Sequence, residues 1–292
     1  MRFLDSPGVL LVITGTLLGL TFPLGSLAVD AGVSPVVWAW LISAGSAVCL
    51  SGICLVLRCG VSLDGTSLRY YFLLGAISLA IPNVLTFLAI PRLGSGYTGL
   101  MFTLSPVFTL ALSALWRVRV PSGLGVVGIA LGFAGAFIVA FTRGEVGQPA
   151  SLLWVGLALC IPVSLAIGNL YRTMAWPSGA HPLSLATGTN AASAILLFIV
   201  IAIDSTASLP GGLIVHAAVS IPAVIAATAM FTMFFRLQQV GGPTYLSQIG
   251  YVGAAVALLC GTWFLHERYS IITWSGATLI VVGVLVSVRA QR

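Results

Sequence analysis

The sequence predicts an all-α integral membrane protein, with ten transmembrane helices in two inverted five-helix repeats around a central cavity. Three observations carry that prediction. Hydrophobic residues make up 59% of the chain and charged residues only 6%, with a mean hydropathy of +1.13, whereas soluble domains are about one quarter charged. Ten separate apolar runs are long enough to cross a bilayer, and the second half of the chain echoes the first.

A span needs roughly 20 mainly apolar residues. Runs of that kind occupy approximately residues 8–27, 35–57, 70–90, 97–116, 123–141, 151–171, 182–203, 214–235, 243–264 and 270–288. Pro82 interrupts the third, Pro162 the sixth and Pro222 the eighth. The connections are too short to hold a soluble domain. The run after Arg2 has no convincing small-residue cleavage site, so it reads as a first span and not as a removable leader.

The echo is clearest between residues 93–116, LGSGYTGLMFTLSPVFTLALSALW, and residues 240–264, VGGPTYLSQIGYVGAAVALLCGTWF. At an offset of 147, Gly94 meets Gly241 and Trp116 meets Trp263; at 148, Gly128 and Gly135 meet Gly276 and Gly283. An offset near half the chain marks two copies of one unit, over 1–147 and 148–292. Five spans per copy is an odd number, so the second copy enters the membrane from the opposite side. That is a transporter architecture, with its site expected at mid-membrane between the copies.

All twelve cations are arginine. With the N-terminus in the cytoplasm, Arg2, Arg58, Arg69, Arg117, Arg119, Arg172, Arg236, Arg289 and Arg292 fall inside and only Arg92, Arg143 and Arg268 outside. The positive-inside rule therefore places both termini in the cytoplasm, in an inner (plasma) membrane. Single arginines between apolar runs also exclude nucleic-acid binding, despite the net charge of +6.

Every Asp and Glu lies in a loop or at a span end, and the arginines are likewise confined to span ends. A buried carboxylate is the usual mark of proton coupling, and a cation at depth is needed to capture phosphate. Both are expected to be lacking. His181, His216 and His266 are far apart, and the five cysteines show no C-x-x-C spacing, so neither metal nor cofactor is implied. Paired acids, or Ser with His, at depth are lacking too, which argues against a membrane enzyme.

The chemistry that remains is polar and uncharged. Thr98, Phe102, Ser105 and Thr109 share one face of the fourth span; Thr244, Gln248 and Tyr251 share one in the ninth; Thr187, Asn190 and Ser193 nearly do in the seventh. Such residues either bond a neighbouring helix or face a water-filled cavity, and Asn83 and Gln248 are read as cavity residues. Pro82, Pro106, Pro162 and Pro222 each free a carbonyl one turn earlier, as hinges or as packing kinks. The tryptophans, Trp38 and Trp40 among them, read mostly as an interfacial belt, while Phe87, Phe102, Phe231 and Tyr251 lie deeper. Gly125, Gly128, Gly132 and Gly135 form a small-residue stripe on the fifth span, echoed on the tenth by Gly276 and Gly283. The stripe serves packing within the chain or a homodimer through the fifth or tenth helix.

With the two copies in view, the chain resembles the drug/metabolite transporter superfamily and its EamA-type ten-helix branch. The carrying residues are Phe102-Thr103-Leu104-Ser105-Pro106-Val107-Phe108, the stretch ending Trp263-Phe264-Leu265-His266-Glu267, and the glycine-spaced spans after each. Within the branch it is most similar to YddG-type exporters of aromatic amino acids. It departs from the pattern at Arg119, where the second copy has Glu267, and at Trp38-Ala39-Trp40, where an arginine is common. The resemblance implies a basket of helices, export, and a cavity formed by the first, third, fourth, sixth, eighth and ninth helices.

The expected function is export of small neutral or zwitterionic solutes, aromatic or hydrophobic amino acids first among them, by uncoupled alternating access. The partners are then a small-molecule substrate and membrane lipid. Asn83 and Gln248 would orient polar groups, Ser105 and Ser164 assist, and Phe102, Phe231 and Tyr251 hold the apolar part. An exporter of drugs, nucleosides or other metabolites is the alternative, and a membrane scaffold or receptor the alternative from another class.

Overall fold

A computed structural model describes residues 6–116, 122–142, 151–203, 217–264, 266 and 268–289. Arg119, His216 and Glu267 therefore lie outside the described residues. Ten helical segments follow one another among the described residues. The first copy supplies α1 (Pro7–Asp30), α2 (Pro35–Leu57), α3 (Gly65–Leu93), α4 (Ser95–Leu115) and α5 (Gly123–Thr142). The second begins with α6 (Leu152–Met174) and α7 (Pro182–Ile203). The helical stretch Ala217–Ser247 then bends at Gly242, where φ is 71°; its part before the bend is α8. The turn after the bend leads through Gln248 into α9 (Ile249–Phe264), and α10 is Ile271–Arg289. Seven segments meet the length and hydropathy of a full span, while α5, α9 and α10 contribute shorter apolar helices.

The bundle is built for lipid as solvent. Its outward faces carry Val48, Leu55, Val56, Ile199 and Ile225, all exposed, while the interior holds Ser43, Ser46, Thr187, Asn190 and Ser193. Without water to drive apolar residues together, helices associate through small residues and short polar contacts. The Ser43 and Ser193 hydroxyls meet at 3.0 Å between α2 and α7. The two other residues of the α7 stripe bond their own preceding turns: Thr187 donates to the Leu183 carbonyl and Asn190 to that of Ala186. The α7 stripe is thus spent on packing.

The glycine stripe of α5 is spent the same way. Gly125, Gly128, Gly132 and Gly135 are all buried. A Cβ at Gly135 would lie 2.6 Å from the Gly276 carbonyl oxygen, and one at Gly283 would lie 2.5 Å from the Gly132 nitrogen. Backbone thus meets backbone between α5 and α10 of the same chain, so the stripe serves packing within the chain.

Two helices of the first copy are irregular at mid-membrane. Gly75–Ala80 of α3 is a π-helical turn, immediately before Pro82, and Phe102–Leu104 of α4 is a 3-10 turn, immediately before Ser105 and Pro106. π-turns insert an extra residue into a helix and commonly mark functional sites. Gly94, between α3 and α4, has φ 80° and ψ 158°, which a side chain does not tolerate. Its structural counterpart is Gly242 rather than Gly241, so the copies correspond here at an offset of 148.

Trp38 corrects the belt reading. It is buried in the bundle with its ring edge-on to Phe87 at 6.4 Å, whereas Trp116, Trp263 and Trp274 are exposed.

Candidate functional site

A cavity opens where the copies meet, between the helices of the bundle, a common place for small-molecule sites. Its wall is Leu18 of α1; Ser78, Leu79, Pro82 and Asn83 of α3; Phe102 and Ser105 of α4; Leu165 and Asn169 of α6; Met230, Phe231 and Phe234 of α8; and Leu246, Ser247, Ile249 and Gly250 at the entry to α9. These are the six helices that the resemblance implied.

Local irregularity positions several of these side chains. The π-turn carries Ser78 and Leu79, and the 3-10 turn carries Phe102 and hands on to Ser105. Phe102 is held edge-on by Phe22 with ring centroids 5.0 Å apart. Gly250 lets the Phe102 backbone close in, since a Cβ there would lie 2.5 Å from the Phe102 carbonyl oxygen.

Of the residues expected at the site, Asn83, Phe102, Ser105, Phe231 and Pro82 line the cavity. Ser164, Gln248 and Tyr251 do not. Ser164 donates to the Ile77 carbonyl and so occupies an acceptor that the π-turn frees. Gln248 is buried between the lining residues Ser247 and Ile249 but forms no part of the wall, and Tyr251 is half-buried behind it. Pro106 and Pro162 sit in α4 and α6 next to the wall, whereas Pro222 is exposed on the outside of α8. Thr98 bonds the Gly94 carbonyl and is not on the wall.

Sequence reasoning missed the α6 end of the site. Asn169 lines the cavity, and behind it Arg172 is wholly buried. Its guanidinium donates from Nη1 to the Asn169 Oδ1 at 3.1 Å and from Nη2 to the Ser78 hydroxyl at 2.5 Å. It also lies over the rings of Phe234 and Phe235, at 4.7 and 5.2 Å. The expectation that all cations stay at the span ends, away from the site, is thereby corrected. Arg172 is two residues from the end of α6 in sequence, but its face turns into the bundle. The signal was present as Ser164, Gly168 and Arg172, four apart on one face of α6. All three grip the π-turn, because Gly168 admits Ser78 where a Cβ would lie 2.7 Å from its hydroxyl oxygen.

Ten helices in two copies, with a cavity at their junction, have the build of a membrane transporter. The chain belongs to the EamA-like transporter family, whose pattern matches it twice, over residues 6–141 and 152–289. It is therefore a multi-pass membrane transporter and not an enzyme. It is similar to an uncharacterized transporter of Archaeoglobus fulgidus, 23% identical over 285 residues that cover 97% of this chain and 99% of the relative. A solved crystal structure of 18% identity shares the fold with a TM-score of 0.59, over 95% of this chain and 98% of its own.

Proposed function

We propose that this transporter exports small neutral or zwitterionic metabolites, aromatic and hydrophobic amino acids foremost, by alternating access without a coupled ion. It does so from an inner membrane with both termini in the cytoplasm, as the arginine distribution favours. The observation that carries this reading is the cavity wall. It pairs three phenylalanines, Phe102, Phe231 and Phe234, with the uncharged polar side chains Ser78, Asn83, Ser105, Asn169 and Ser247, and holds no titratable group. A wall without an acid or a histidine offers no carrier for a coupling proton.

In this reading Asn83 and Ser105 orient the polar part of the substrate, and Phe102 and Phe231 hold its apolar part. Gln248 and Tyr251 act through the turn into α9, and Ser164 acts through the π-turn that it supports. Pro82, Pro106 and Pro162 let helices bend as one copy rocks against the other; Pro222 joins them from the outer face.

Counterflow of radiolabelled tryptophan, phenylalanine and threonine into liposomes containing only this protein tests the proposal. Uptake of the aromatic pair without a pH gradient is expected. Uptake that strictly required the gradient would refute uncoupled transport. Folded protein that moved none of the three would turn the substrate search to drugs and nucleosides.

A further inference from the structure

Arg172 is a cation inside the protein with no anion beside it among the described residues. It is wholly buried, its Nε finds no acceptor, and no carboxylate among the described residues pairs with it. Breaking a buried ion pair is costly because it leaves a charge of this kind. Arg172 is in that condition by construction, held by two neutral groups and two aromatic rings.

What those two neutral groups then present to the cavity follows from hydrogen-bond chemistry. A guanidinium has donors only, so the Asn169 atom facing Arg172 must be its carbonyl oxygen, as observed. The Asn169 amide hydrogens are left for the cavity that this residue lines. Ser78 likewise accepts from Nη2, and its own hydroxyl proton is left to donate. Arg172 thus turns two ambivalent side chains into donors and puts a positive charge behind both.

We propose that the end of the cavity formed by Ser78 and Asn169 is a carboxylate-binding subsite, with Arg172 as the positioning residue that fixes its donors and supplies its charge. The subsite rests on the transport reading above and names the group by which substrates are recognised. One guanidinium and two neutral donors balance one negative charge, which fits a carboxylate and not a phosphate dianion. The apolar remainder of the ligand falls against Phe102, Phe231 and Phe234 on the same wall.

The test is binding by the purified full-length protein of four probes in two isosteric pairs: tryptophan against tryptophanamide, and indole-3-propionate against its amide. Each acid is expected to bind at least ten-fold more tightly than its amide. That ratio should collapse towards one in Arg172→Gln and recover in part in Arg172→Lys, which keeps the charge without the fork. Ser78→Ala and Asn169→Leu should lower the ratio by weakening acid binding more than amide binding, whereas mere loss of packing would weaken both alike. Amides binding as well as acids to the unaltered protein, or none of the four binding, overturns the subsite whether or not the variants fold. If tryptophan does not cross the membrane but indole-3-propionate outbinds its amide, the amino-acid reading falls and the subsite stands.

Discussion

The third span and its counterpart, the eighth, both line one cavity, but by different means. In α3 the helix is broken by a π-turn at Gly75–Ala80, which delivers Ser78 and Leu79, and Pro82 and Asn83 follow just after it. In α8 the helix runs from Ala217 to its bend at Gly242, and the side chains that it delivers are Met230, Phe231 and Phe234. The copies share topology and the position of their glycine turns, yet at this pair of helices only the first copy brings polar side chains to the wall. Two-fold repetition thus fixes where the cavity is. Departures from it decide what the cavity can hold.

The sharpest way to separate the shared from the divergent is to damage both copies at equivalent places. At the α5–α10 seam the copies are alike, so Gly135→Val and Gly283→Val should each destabilise the protein by about 2–3 kcal/mol, as overpacking does. Melting in detergent should show the two losses to be similar, and a large inequality would mean that the seam is not shared evenly. Next in size are the turns. Gly94→Ala and Gly242→Ala each force a side chain into backbone reserved for glycine, at about 1–3 kcal/mol. By contrast Gly241→Ala should be nearly silent by the same measurement.

At the cavity wall the copies should part company. Asn83→Ala is expected to lower kcat/KM for a transported zwitterion about ten-fold, or about 1.4 kcal/mol. Phe231→Ala should instead penalise aromatic substrates over aliphatic ones, and competition in counterflow would read the difference. Equal effects on both substrate types from both variants would erase the polar and apolar division.

The smallest effect concerns the start of α3. Asp64 caps that helix, accepting from the Thr66 and Ser67 amides and from the Ser62 and Ser67 hydroxyls, and these bonds hold its carboxyl well below the usual carboxylate range. A lowered folded value means that the cap's contribution is fully present above the ordinary carboxylate pKa of about 4 and is lost as pH falls below it. Melting curves of the unaltered protein and of Asp64→Ala should therefore differ at neutral pH and converge in acid.

The spans and the seam were legible in the sequence because hydropathy over 20 residues and glycine spacing are properties of the chain itself. The site was legible in part. Asn83, Phe102, Ser105 and Phe231 line the cavity, as polar and aromatic residues deep in their spans were expected to. Gln248 was placed by counting helical steps from Thr244, but the helix is interrupted at Gln248 itself, and face counting fails across an interruption. Arg172 was missed for a related reason. Hydropathy gives depth and not direction, and a cation at a span end normally reaches for the interface, whereas this one turns inward to a π-turn that no local pattern announced.

The seam of bare backbone between α5 and α10 has a mechanical consequence. Helices that interlock through side chains can shift along one another only by lifting each ridge out of its groove. Where Gly132 and Gly135 face Gly276 and Gly283 one ridge remains to lift, the Ile280 side chain against Gly135. The last helices of the two copies thus meet as a bearing with a single catch, firm against separation and held in register at Ile280.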